Sequence, residues 1–216
     1  MRCVSGCVSA AVADFLSGLA DKEFAPRRAE LLRHAHGRVL EIGAGTGFNA
    51  RHYPSAVDEL VLTEPGGALL ARAQHRAAAA GRHVEAIEAP AEALPFEDRS
   101  FDAVVSTLVL CSVRNQDAAL AEVRRVLRTD GSFLFIEHVR ADEPRRARWQ
   151  DRLERPWSVV AMGCHPNRPT LERIEAAGFV LDELRHGELP KSLPIIRPLI
   201  TGRAHVDDGS AERDEC

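Results

Sequence analysis

A chain of 216 residues, 45% hydrophobic and 28% charged, has the composition of a folded protein, and its length suits one α/β domain with some decoration. Its formal net charge of −4 supplies no cationic footprint for a phosphate backbone, so nucleic acid is not an expected partner. The five cysteines, Cys3, Cys7, Cys111, Cys164 and Cys216, are odd in number and contain no C-x-x-C pair; neither a disulfide framework nor a zinc site is expected, and a reducing cytoplasm fits.

The opening MRCVSGCVSAAVADFLSGLA is apolar but interrupted by Arg2 and Asp14, and it falls short of the roughly 20 apolar residues that a membrane span needs. It reads as an amphipathic helix, with PRRAELLRHA completing an N-terminal helical region over residues 1–36 and no integral membrane segment. Cys3 and Cys7 could stand one helical turn apart, but no second pair completes a metal site, and no metal is expected. Residues 37–204 then alternate between two periodicities. GRVLEIG, ELVLTEP, HVEAIEAP, FDAVVSTLVLCS and SFLFIEHV are apolar runs of the kind that strands buried on both faces require. Between them, GALLARAQHRAAAAG reads as a helix ended by Gly81. QDAALAEVRRVLRTDG reads as another, with Leu120, Val123, Val126 and Leu127 on one face, Asp117 at its start and Gly131 past its end. ADEPRRARWQDRLERPW is a helical insertion, and NRPTLERIEAAGF a helix begun near Pro169 and closed by Gly178. FVLDELRH and IIRPLITGRA are two last strands, and residues 205–216 a disordered polar tail. The alternation argues for a doubly wound parallel sheet, whose ligands lie at the carboxyl ends of the strands.

The stretch VLEIGAGTGFNA joins the first strand to a glycine-rich turn. Gly43, Gly45 and Gly47 permit a tight bend and close backbone approach to a ligand at the following helix start. A dinucleotide fingerprint wants its third small residue at position 48, where this chain has Phe48. Glu41, two residues before the first glycine, would repel a pyrophosphate but suits an ammonium or a sulfonium. Glu64 closes the second strand, where an acid can accept hydrogen bonds from ribose hydroxyls. Together with AEALPF after the third strand and FDAVVS in the fourth, this spacing resembles the class I S-adenosylmethionine-dependent methyltransferases over roughly Arg38 to Val139.

TLVLCSV, EVRRVLRTDGSFLFIEHV, RPW, GC, RPTLERIEAAGF and PLITGRA further resemble the methyltransferase-like family that includes the mammalian thiol methyltransferases and bacterial relatives. The resemblance implies a Rossmann-like, mostly parallel seven-stranded sheet with an antiparallel C-terminal strand, S-adenosylmethionine as cofactor and a small-molecule methyl acceptor. It departs at the N-terminus, where the mammalian members carry a hydrophobic anchor, and at Pro90, where many class I enzymes place an acid. By the same resemblance, Glu41, Gly43, Ala44, Gly45, Thr46 and Gly47 hold the methionine end. Glu64 binds ribose, Pro65 packs near adenine, and Ala91 and Glu92 meet the adenine edge. Thr107 and Leu108 border the amino group and the transferable methyl. His138, at the end of the fifth strand, is the candidate general base, and Trp149 and Cys164 are candidates for lining the acceptor pocket. A thiol is the favoured acceptor, with a quinone, phenol or lipid as alternatives. An oxidoreductase using a nicotinamide dinucleotide, disfavoured by Glu41 and Phe48, and a cofactor-binding module without turnover are the rival classes.

Overall fold

The five apolar runs become parallel strands: β1 (Gly37–Ile42), β2 (Val57–Thr63), β3 (Val84–Ile87), β4 (Phe101–Thr107) and β5 (Leu127–His138). β6 (Phe179–Glu188) and β7 (Pro198–Val206) complete a seven-stranded sheet of order β3-β2-β1-β4-β5-β7-β6, in which β7 runs antiparallel to both β5 and β6. The computed structural model describes residues 21, 23–161, 163–189 and 191–207. The segment expected to be amphipathic over residues 1–20, with Cys3 and Cys7, lies outside the described residues, as do Cys216 and the tail from residue 208.

Helix α1 (23–32) and helix α2 (Gly67–Ala79) cover one face of the sheet; α3 (Gln116–Val126) and α5 (Thr170–Ala176) cover the other, and α4 (Pro144–Val160) follows β5. Side chains of a strand alternate between faces, so β1 sends Val39 to the layer with Leu31, Leu32 and Ala73, and Leu40 and Ile42 to the layer with Leu120, Val123 and Ile174. Chain order reverses beside β1, which pairs with β2 on one side and β4 on the other. The adjacent exits of β1 and β4 therefore form the crevice in which such sheets take ligands.

Three local expectations are corrected. The fourth strand stops at Thr107, and Leu108 to Ser112 fold back instead of extending it. Asn115, not Asp117, caps α3: its side chain accepts the Asp117 and Ala118 amide hydrogens at 3.0 and 3.2 Å. Gly131 closes no helix, because α3 ends at Val126 and Leu127 already begins β5; a Cβ at Gly131 would come within 3.0 Å of the Asp102 and Arg128 carbonyl oxygens. At the other end of the sheet, β7 continues to Val206 and so takes in the first two residues of the expected tail.

Candidate active site

The three glycines after β1 have three different reasons. All have positive φ, +55° at Gly43, +54° at Gly45 and +82° at Gly47. A Cβ on Gly43 would strike the Val109 side chain at 2.7 Å, and one on Gly47 would strike the Ala73 backbone of α2 at 2.7 Å. Gly45 faces open space, its nearest neighbour being the Gly43 carbonyl oxygen at 4.0 Å. Gly43 and Gly47 thus serve packing, and Gly45 is where a ligand can approach the backbone.

Glu64 clips this turn to the exit of β2. One carboxylate oxygen accepts the Gly45 amide at 3.0 Å and the other accepts the Gly66 amide at 3.0 Å, which leaves each oxygen a free lone pair. Burial raises its pKa against the pull of those two donors. Pro65 is exposed beside it, and Ala44 and Thr46 are buried within the loop.

Glu41 departs from its expected role. Its carboxylate is buried and committed to the protein: Tyr53 Oη donates to it at 2.7 Å and Asn49 Nδ2 at 3.0 Å. Burial pushes its pKa up to about 7, opposed by these donors and by the nearby Arg28 guanidinium. Glu41 therefore braces the start of the η1 turn (Ala50–His52) and acts on the crevice through Asn49, whose amide also donates to Thr107 Oγ1 at 3.1 Å. Phe48, the residue that spoiled the dinucleotide fingerprint, lies between the guanidinium groups of Arg28 and Arg76, 5.5 and 3.9 Å from its ring centre.

Across the crevice, β4 leaves the sheet through Leu108, a non-glycine residue at φ +60°. Such a conformation costs about 1 to 3 kcal/mol in a bulky residue and persists only when its surroundings hold it. Glu137 holds it. Its fully buried carboxylate accepts Ser106 Oγ at 2.6 Å, the Val109 amide at 3.0 Å and the Cys111 amide at 3.4 Å, so the loop wraps around one side chain of β5. Here too burial raises the pKa to about 7 against the donors.

The remaining candidates separate. His138 is buried, pairs opposite Leu199 of β7, and is driven down to about 4 by desolvation, so its imidazole is neutral near neutral pH. Its Nδ1 has no partner among the described residues. Cys164 joins the crevice: it is buried, and the neighbouring His165 amide donates to the Cys111 carbonyl at 2.8 Å. Trp149 does not: it is 55% exposed on the outer side of α4, and Trp157 is the tryptophan beside Cys164. Ala91 is buried near the exit of β3, whereas one oxygen of the Glu92 carboxylate accepts the Arg114 and Asn115 amides at 2.7 and 3.2 Å. Sequence reasoning passed over Asn49, Tyr53 and Glu137. The signal for Glu137 was a charged residue directly after the apolar run FLFI, still within the strand.

Residues 40–135 match the family model described as a methyltransferase domain. Human thiol S-methyltransferase TMT1A is 36% identical over 171 residues, 77% of this chain and 69% of that enzyme. The chain belongs to the class I methyltransferases, which use S-adenosylmethionine. A second relative, the ubiquinone/menaquinone biosynthesis C-methyltransferase UbiE of Bartonella tribocorum, is 33% identical over 59% of this chain and half of that enzyme. The fold matches that of the N-methyltransferase NodS from Bradyrhizobium japonicum, solved with S-adenosylhomocysteine, at a TM-score of 0.65 and 14% identity over 86% of this chain and 88% of that one. The crevice of the methyltransferase fits its cofactor. Gly45 opens a backbone cradle, Glu64 keeps acceptor capacity, and the buried Thr46 Oγ1 and Asn49 Oδ1 lack partners among the described residues. No described helix is long and apolar enough to cross a membrane, and no cluster of three metal-ligating side chains occurs among the described residues.

Proposed function

We propose that this methyltransferase methylates a small-molecule thiol in the cytoplasm. One observation carries the choice of acceptor: among the described residues, His138, Glu41 and Glu137 are not free to act as a base at the crevice. His138 is buried and neutral, and Glu41 and Glu137 have their carboxylates engaged by donors from the protein itself. An acceptor must then bring its own nucleophile, and a thiol of pKa near 8.5 is ionised to the extent of about a few per cent at neutral pH. An amine or phenol would need a proton removed. The relationship to TMT1A supports the same acceptor, and the free thiols of Cys111 and Cys164 support a reducing location.

In this reading Gly45 and Thr46 hold the methionine end, Asn49 presents its unpartnered Oδ1 to the amino group, and Glu64 accepts from ribose. Pro65 and the Ala91–Glu92 backbone bound the adenine. Thr107 and Leu108 border the reacting side, and Cys164 lines the acceptor pocket. When bound, S-adenosylmethionine supplies an electrophilic methyl on a sulfonium. What the chain contributes is alignment: holding two reactants near contact is worth up to about 7 to 11 kcal/mol. The Glu137-braced loop keeps Leu108 rigid at the place where that alignment is needed.

The test is a panel of alkyl and aryl thiols, phenols, amines and quinols with labelled methyl donor. Turnover on thiols, with kcat/KM rising with pH along each thiol's own ionisation and surviving His138→Asn, is the expected result. Turnover on quinols alone would transfer the assignment to the chemistry named for the UbiE relative.

A further inference from the structure

The two sides of α4 have opposite characters. Inward, Ala147 and Gln150 are buried, and the Gln150 carboxamide is fully used: it accepts the Ala141 amide at 2.8 Å and donates to the Val139, Pro166 and Ile195 carbonyls at 2.9 to 3.1 Å. Asp151 is paired with Arg140, and Glu154 with His165. Outward, the helix leaves large apolar groups in water: Trp149 is 55% exposed, Leu153 36%, Val159 83% and Val160 70%. At 100° per residue, Trp149, Leu153, Pro156 and Val160 fall in one stripe. Arg145, Arg148, Arg152 and Arg155 run along one flank of it.

None of those four arginines forms an ion pair with a described residue, although ion pairs engage Arg28, Arg38, Arg125, Arg128, Arg173 and Arg185 elsewhere in the chain. The outer side thus concentrates positive charge without ion-pair partners among the described residues beside exposed apolar surface, in a protein whose net charge is −4.

We propose that the outer face of α4 docks the methyltransferase onto an anionic lipid surface. Trp149, Leu153 and Val160 enter the boundary between headgroups and acyl chains, and the four arginines meet the phosphates and carboxylates of the headgroups. A helix that lies in this plane needs an apolar stripe with a cationic flank, not the length of a span. A second copy of the same face would answer these arginines with four more and no acid. A nucleic acid would leave Val159 and Val160 without apolar contact. The turn after α4 carries Cys164 and His165, with the His165 amide bonded to the Cys111 carbonyl, so the docked face adjoins the crevice. The docking itself does not depend on which acceptor is methylated.

Sedimentation of the full chain with vesicles tests this. Vesicles of phosphatidylcholine with about one third phosphatidylserine should pull the protein down and shift its tryptophan emission to the blue, while pure phosphatidylcholine should bind it at least about tenfold more weakly. Two variants, Trp149→Ser with Val160→Ser, and Arg148→Glu with Arg152→Glu, should each lose at least about tenfold in vesicle affinity while keeping melting temperature and S-adenosylhomocysteine affinity. Vesicle binding that persists in both variants would assign the contact to another part of the chain and overturn the proposal. So would an absence of binding, or a dimer of the parent chain that the first variant dissociates.

Discussion

The exits of β1 and β5 each bury one glutamate with a carboxyl raised to about 7, and they use it in opposite ways. Glu41 is held by side chains, Tyr53 and Asn49, of which Asn49 also reaches Thr107 at the crevice. Glu137 is held by Ser106 and by backbone amides, and it shapes a loop. The first arrangement leaves acceptor capacity at the crevice on Asn49; the second consumes its polar capacity internally and yields only shape. A methyltransferase needs both, because its cofactor is recognised by polar groups whereas the reaction itself asks mainly for alignment.

The largest effect should come from the β1 side. Gly45→Val places a side chain where the backbone is open and imposes φ +54° on a β-branched residue; S-adenosylhomocysteine affinity measured by calorimetry should fall by about a hundredfold or more. An unchanged affinity would remove the ligand from this turn. On the β5 side, Glu137→Gln turns an amide N–H2 toward donors and should cost about 2 to 4 kcal/mol of stability in denaturant unfolding, with weaker turnover as the loop loosens.

Titration sharpens the comparison. Both glutamates have folded pKa values raised from 4.5 to about 7, so the stability they contribute is fully present below 4.5 and is lost as pH rises through about 7. His138 has the opposite sign: its folded pKa is lowered from 6.5 to about 4, so stability is lost as pH falls through that interval. Above pH 6.5 the histidine contribution is constant and only the glutamates act. The melting temperature should therefore drop between pH 6.5 and 8, and less steeply in Glu137→Gln. A melting temperature that stays constant over that interval would mean that both carboxylates are ionised throughout. The smallest effect is Tyr53→Phe, which removes one donor to Glu41 and should destabilise by about 1 kcal/mol while leaving the β4 loop intact.

Much of the fold was legible. β1, β2 and β4 are apolar on consecutive positions because a sheet covered on both faces leaves no wet side, and such runs stand out from any helix period. Where reading failed, a competing interaction had won. LVLCS looks like more strand, yet Glu137 draws its amides out of the ladder. RTDG looks like a helix stop, yet Leu127 is already extended and opposite Phe101 of β4. Trp149 looks like pocket lining because aromatic residues usually bury, and only the rotation of α4 about Gln150 shows that it faces out.

By itself the sequence determined the order of strands and helices, the glycine turn and the acids at positions 41 and 64, since these follow from periodicity and from backbone conformations that only glycine adopts freely. Tertiary structure alone decided what the charges do. Whether a glutamate faces a ligand or a tyrosine, and whether a histidine is a base or a neutral core residue, depends on burial and on partners many residues distant. Glu41, Glu137 and His138 took their roles from Tyr53, Ser106 and the desolvation beside β7.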